Sequence, residues 1–356
     1  MSILNQSVGV DVSKKEFVVY FEVMLSDQTY KKVGQRKFKN TPKGIKEFVK
    51  WLEQKAVPQT LLQVVMEATG RYHEALAYHL YEHRYRVCIV LPNRIKHFGH
   101  SLNQFSKTDP IDAAIIARYG ACQLPQAWQP ASPSMRRLRE LTRERQDVIK
   151  IRTQANNRLC AMRVAAKPEP STIERLEAQL DFFNQQIQDI EGEMKQLGRQ
   201  DKVLTQQLLL LTSIPHIGQT TAYTILAETA GFALFENRNQ LIKYAGLDVV
   251  QRQSGSSING KTKVSKRGNA HLRAALYMPA VGLIGKPGVF QDTYLRCFGR
   301  HKNKSKALMA VQRQLLLVIF GIHQSQRMYD PDIHRQRIIN KVGEPACSPT
   351  VAHLEN

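Results

Sequence analysis

The chain holds 356 residues, enough for two or three domains, with 51 Lys+Arg against 30 Asp+Glu and a formal net charge of +21; a balance so basic points to a polyanion, nucleic acid first. Aromatic residues are only 8% of the chain, which argues against the broad base-stacking platforms of single-strand-binding proteins, and the scattered Cys88, Cys122, Cys160, Cys297 and Cys347 form no C-x-x-C pair, which argues against a zinc ribbon or disulfide framework and fits a reducing cytosol. No signal-peptide pattern opens the chain, and apolar runs such as residues 315–320 are too short to cross a bilayer, so a cytoplasmic protein with no membrane partner is expected.

Residues 8–12, 17–23 and 32–39 read as three successive strands, β-branched and aromatic with polar breaks between them. Thr41-Pro42 starts a helix through Trp51, with Pro42 tolerated at the first helical position. Residues 61–66 form a fully buried fourth strand, a helix follows over 72–83, then a fifth strand over 86–91 and helices over 92–100 and 109–119. Three strands before the first helix fit an RNase H-like mixed sheet with flanking helices better than a Rossmann domain, which alternates from the start.

Beyond residue 131 the pattern changes. Leu176, Leu180, Phe183, Ile187, Ile190, Met194 and Leu197 follow a 4-3-4-3-4-3 spacing, the mark of a coiled-coil seam. Leu138, Leu141, Val148, Ile151, Ala155, Leu159 and Met162 make a looser stripe before it, and residues 167–170 break the two helices. Ser171 with Glu174 reads as a capping box for the second. A coiled-coil helical hairpin or oligomerisation arm is expected, with two ordinary core helices as the other reading.

From about 203 a mostly helical C-terminal domain is expected. An Ile214-Pro215-His216-Ile217-Gly218 turn precedes a helix over 220–228 and resembles a helix-hairpin-helix, whose amides can meet a phosphate; a purely structural turn fits nearly as well. A polar stretch without helical period, 250–267, leads to helices over 269–283 and 304–322, and the charged tail is peripheral. The expected domains are residues 1–128, 129–202, 203–326 and the tail 327–356.

Four acids stand where burial is expected. Asp11 interrupts Val8-Gly9-Val10-Asp11-Val12, Glu67 closes the fourth strand, and Asp109 and Asp112 lie three apart on a helix, so both project from one face. Carboxylates are costly to desolvate unless paired or bound to a cation. Together they would form a hard-oxygen site for one or two Mg²⁺ and phosphate chemistry. Each also has a local explanation: Asp109 as a helix cap, Asp112 as a first-turn acid, Glu67 as a turn residue. Asp11 resists such an account best, since a mid-strand Asp between valines has no local backbone to satisfy.

The segment Gln253-Ser254-Gly255-Ser256-Ser257-Ile258-Asn259-Gly260-Lys261 is small and polar, and Lys263, Lys266, Arg267 and Arg273 follow it. Composition alone favours a flexible loop. The chemical reading is a serine hydroxyl attacking a phosphate neutralised by those cations. By themselves, these residues point to metal-dependent phosphoryl transfer on nucleic acid.

The ordered motifs V-G-V-D-V-S-K, M-E-A-T-G, K-T-D-P-I-D-A-x-x-I-A, S-I-P-x-I-G, Y-A-G-L, Q-S-G-S-S and V-S-K-R-G-N-A-H-L-R-x-A-L-Y-M-P-A resemble the DEDD-type insertion-sequence transposases, understood as bridge-RNA-guided recombinases. The resemblance runs from about residue 7 to about 325. It implies a RuvC-like N-terminal domain, a coiled-coil dimerisation segment and a C-terminal transposase domain. It implies that Asp11, Glu67, Asp109 and Asp112 bind metal and that Ser254 is the nucleophile. The acids of one protomer would join the serine of another in a tetramer built from dimers. It further implies a noncoding bridge RNA that selects target and donor DNA, and a prokaryotic, nucleoid-associated setting. Lys107, Lys261, Lys263, Lys266, Arg267 and Arg273 are the expected phosphate or RNA-backbone contacts.

The alternative of greatest weight is a Holliday-junction resolvase, with the same acids but water as nucleophile; a non-enzymatic nucleic-acid-binding protein is a weaker one. A DEDD exonuclease is disfavoured because Ser13 stands where its second acid would be, and a sugar-kinase-like ATPase because Asp11 lacks a glycine-rich phosphate loop.

Overall fold

The computed structural model describes residues 1–332 except 69, 105, 107 and 255–257, and describes only the backbone of 252–254, 258, 259 and 261. The chain divides into two compact units, Met1–Pro130 and Ala131–Asn356.

The first unit is a five-stranded mixed sheet. Its strands are β1 (Ile3–Val12), β2 (Glu16–Leu25), β3 (Tyr30–Lys39), β4 (Leu62–Glu67) and β5 (Arg86–Val90), in the order β3-β2-β1-β4-β5. β1 pairs antiparallel with β2 and parallel with β4, so the crossover places β4 beside β1. Alternation assigns the faces. Val8, Val10, Val64 and Met66 share one core with Phe48, Leu52, Leu76 and Leu80, from α1 (Pro42–Lys55) and α2 (Glu74–Glu82). Thr41 caps α1 by accepting the Gly44 N–H at 3.2 Å. The opposite face packs Val65 and Cys88 against Ile95, Ile116 and Tyr119, from α3 (Pro92–Ser101) and α4 (Asp109–Gln123).

α4 lies directly on β1. A Cβ on Gly9 would come within 2.1 Å of the Ala113 carbonyl oxygen, and one on Gly120 within 2.3 Å of Ser7 Oγ. The Ser7 hydroxyl donates to the Ala117 carbonyl at 2.7 Å and Gln63 Nε2 to the Gly120 carbonyl at 2.7 Å, so these buried polar groups are satisfied. Glu22, 2% exposed on its side chain, is held by Arg118 of α4 at 2.8 Å.

The second unit is helical. α5 (Pro133–Arg163) and α6 (Pro170–Gln200) form an antiparallel hairpin, laced by Arg145–Glu191 at 2.7 Å and Arg163–Glu177 at 2.6 Å. Leu176, Ile187, Ile190 and Met194 of the heptad stripe are buried, whereas Ile151, expected in the facing stripe, is 48% exposed. The predicted capping box is not formed. Pro170 takes the first helical position, Glu169 becomes the cap, and the Ser171 hydroxyl turns back to Glu169 Oε1 at 3.0 Å.

At residue 202 the chain stays within one compact unit. Met135, Leu138, Leu141, Ile190 and Met194, at the base of the hairpin, share one core with the helices that follow. These are α7 (Lys202–Thr212), α8 (Gln219–Thr229), α9 (Arg238–Ala245), α10 (Ala270–Ile284), α11 (Val289–His301) and α12 (Lys304–Ser325). The polar stretch after α9 holds a two-stranded antiparallel ribbon, β6 (Val249–Ser254) and β7 (Ile258–Val264), where only an aperiodic segment was expected. α12 is longer than its apolar run suggested and reaches a bilayer-crossing length by composition, yet Val311, Leu315 and Ile319 are fully buried in the core, which accounts for its apolarity.

Candidate active site

In the first unit the acids are positioned by backbone register. Asp11 and Glu67 each stand one residue beyond the paired Val10 and Met66. Both have the odd parity of Ser7, Gly9, Gln63 and Val65, so they occupy the α4 face of the sheet. α4 runs antiparallel to β1: Ser7 meets Ala117, and Gly9 meets Ala113. Asp11 is two residues past Gly9, about 6.6 Å along the strand. Four helical residues back from Ala113 span about 6 Å and reach Asp109, so Asp11 lies at the level of the first turn of α4.

That turn holds both helix acids. Asp109 is one turn before Ala113. Asp112 is one turn before Ile116, on the flank that packs with Val65 and Cys88, and so on the Glu67 side. Thr108 is the N-cap residue, so Asp109 does not cap the helix as its local explanation required. Asp109 and Pro110 line a shallow cleft of about 380 Å³ with Val18, Lys32, Arg36 and Lys37; Val18 is the register partner of Asp11. The Lys37 ammonium is pushed up first by its hydrogen bond to Glu16, with the Asp109 charge adding to it.

All four acids thus belong to one end of the sheet, beside a helix N-terminus whose dipole favours negative charge. Among the described residues, no three His, Cys, Asp or Glu side chains enclose a metal position. The donor set is nonetheless all carboxylate oxygen, which fits Mg²⁺ rather than a softer metal.

In the second unit, Ser254 is the last residue of β6; its side chain, Ser256 and Ser257 lie outside the described residues, as do Lys107 and the Lys261 side chain. The base of the ribbon is fixed firmly. Ser265 Oγ hydrogen-bonds Asp248 Oδ1, and the Lys266 N–H donates to the Gly246 carbonyl at 3.0 Å. Gly246 has φ +66°, and a Cβ on Gly268 would meet the Tyr244 carbonyl oxygen at 2.4 Å. Neither position admits a side chain readily. Asn269 caps α10 by accepting the Leu272 N–H at 2.9 Å, and its amide donates to Glu228 Oε2 at 2.6 Å.

Glu228 is fully buried and receives both Nε and Nη2 of Arg143, at 2.8 and 2.9 Å. Burial alone would raise its carboxyl; the hydrogen bonds from Arg143 and Asn269 and the Arg143 charge outweigh that and hold it below the usual range. Sequence reading missed this keystone because its partners lie far apart in the chain. Among the expected backbone contacts, Lys263, Lys266 and Arg267 are exposed. Arg273 is half-buried and donates to the Ala245 carbonyl at 2.9 Å, bracing the ribbon base. Ile214 and Ile217 are buried, and His216 packs against Gly282, so that turn serves the core.

Residues 8–165 match the family described as "Transposase" of the DEDD IS110 type, and residues 208–295 match that described as "Transposase IS116/IS110/IS902 family". The chain is similar to the pilin gene-inverting protein of Moraxella bovis, 30% identical over 332 residues, covering 92% of this chain and 98% of that protein. The chain belongs to the IS110 family of DEDD transposases. The pilin gene-inverting protein of Moraxella lacunata is likewise 30% identical over 92% of this chain and 98% of its own length. The insertion element IS110 uncharacterized 43.6 kDa protein of Streptomyces coelicolor is 29% identical over 121 residues, 34% of this chain and 30% of that one. As an IS110 transposase, the protein is an enzyme of DNA recombination.

Proposed function

We propose that this transposase cleaves and exchanges DNA strands through a covalent serine–DNA intermediate, with Asp11, Glu67, Asp109 and Asp112 as a Mg²⁺ site and Ser254 as nucleophile. The observation that carries this reading is the register that brings two strand acids to the level of the α4 first turn, where the other two lie. Mg²⁺, when bound, would neutralise charge developing on the scissile phosphate. Ser254 Oγ bonds to phosphorus as one phosphorus–deoxyribose oxygen bond breaks; the serine proton is released and the departing oxygen is protonated. Attack by a second deoxyribose hydroxyl reverses these changes, so one phosphodiester replaces another without ATP. The anchored ribbon base supports this role, because a nucleophile must be held in place to within a fraction of an ångström.

The partners of this reading are target and donor DNA, a noncoding bridge RNA that pairs with both, and further copies of the chain. The acids of one protomer would act with the serine of another. Apolar surface on the hairpin, Ile151 at 48% and Phe182 at 58% exposed, supports self-association there.

The test is trapping on nicked DNA with co-purified RNA. A denaturation-resistant protein–DNA adduct is expected for the wild type and none for Ser254→Ala. Cleavage by Ser254→Ala at the wild-type rate would replace this reading with a resolvase that uses water. Asp11→Asn should lower the cleavage rate by at least about 100-fold while DNA binding persists.

A further inference from the structure

The second unit has a cavity of its own, between the base of the β6–β7 ribbon and helices α11 and α12. It holds about 560 Å³, within the usual range for a small-molecule site. Its lining is apolar at Leu247, Val264, Met309 and Ala310 and cationic at Lys263, Lys266, Lys306 and Arg313, with no acidic residue among the lining groups. A lining that combines apolar and cationic side chains suits a ligand with a flat, weakly polar face and an attached anion. A nucleotide has that form: its base can lie on aliphatic carbon and a methionine sulfur, and its phosphate meets Lys and Arg.

We propose that this cavity takes one unpaired nucleotide of the DNA strand being processed. A paired base would keep its faces stacked inside the duplex, so the ligand must be unpaired or turned out of the stack. DNA is favoured because Val249, Lys263 and Val264 of the ribbon line the cavity and the same ribbon continues to Ser254; this step rests on the proposed role of that serine. From Val249 to Ser254 the strand covers about 17 Å, equivalent to about five stacked nucleotides at 3.4 Å each. The seated nucleotide would therefore fix the register of the strand relative to the nucleophile, a few positions from the cut.

Cys297 is half-buried, unpaired and part of the lining, which makes it a reporter. Alkylation of each cysteine in the full-length protein would be followed by peptide mass spectrometry, with and without a single-stranded DNA oligonucleotide. At a free concentration ten times Kd, Cys297 should react about tenfold more slowly, while the exposed Cys122 and Cys160 keep their rates. Ala310→Leu, which fills the cavity, and the charge variant Lys306→Gln with Arg313→Gln should each abolish the protection; near-ultraviolet circular dichroism checks that they fold.

Unchanged Cys297 reactivity with the DNA would overturn the proposal, as would protection that survives the charge variant in a folded protein. Stronger protection by RNA of the same sequence, or by blunt duplex DNA, would overturn the assignment to an unpaired DNA nucleotide. Ser254→Ala should keep full protection, so a failure of the nucleophile assignment is read in the trapping assay and a failure here in Cys297 alone.

Discussion

At the scale of single residues, the acid site depends on a glycine that carries no chemistry. Gly9 lets α4 rest on β1, and its missing Cβ would meet backbone rather than a movable side chain. Gly9→Ala should therefore cost about 3 kcal/mol, at the upper end of overpacking penalties, measured by urea denaturation, and should reduce cleavage by more than the loss of folded protein explains. Glu228 gives a prediction with a sign. Its folded pKa is depressed below the ordinary 4.5, so its contribution to stability is present in full above that value and is lost as pH falls through the folded pKa. Urea unfolding at successive pH values from 7 to about 3 should show a steeper acid-side loss for the wild type than for Glu228→Gln. At pH 7 the variant should be less stable by about 1 kcal/mol, because Arg143 loses its counter-charge while its side chain, 43% exposed, keeps part of its hydration. Asp11 stands out in the sequence as a carboxylate flanked by valines in a strand. Glu228 does not. Its setting, Ala-Glu-Thr near the end of a helix, reads as an ordinary exposed position until the chain has folded.

At the scale of elements, the strands of the first unit were legible because one-sided burial forces a period of two; β2 and β3 extend one or two residues beyond an expected end, whereas β1 begins five residues earlier than expected. β6 and β7 were not legible. Their residues are mainly polar, and the ribbon is specified by fixings at its base, at Ser265, Gly246 and Gly268, rather than by a hydrophobic face. The short α9 and the amphipathic α11 escaped notice because their apolar positions serve a core assembled from several helices. The hairpin of α5 and α6 was legible from its seam, and the exposure of Ile151 and Phe182 leads to a test of the oligomer. Phe182→Glu combined with Ile151→Glu should lower the sedimentation coefficient to that of a monomer while leaving helical circular dichroism unchanged. Sedimentation identical to the wild type would remove the hairpin from the assembly interface.

At the scale of the whole molecule, the sequence placed a chemical change near residue 130 and the structure divides at Pro130. Across the second expected boundary, the hairpin base contributes Leu138, Leu141 and Met194 to the C-terminal core. Periodicity reports which face of a helix is apolar but not which neighbour covers it, so a stripe alone cannot separate an arm from a core helix. The net charge of +21 belongs to this scale as well: it describes the partner class and says nothing of where contact is made, and Arg273, half-buried with one N–H turned to the Ala245 carbonyl, shows how a cation can be counted in full and presented only in part.

The seating of α4 has one more consequence. A helix laid against a strand with no spacer between the two backbones moves with it as one solid piece, like a key in its slot. Lengthening any acid there by a methylene cannot be absorbed by a shift of the frame, so the reach of each carboxyl group is dictated by the main chain, and exchanging Asp for Glu at position 11 is as severe a change of geometry as it is a mild change of charge.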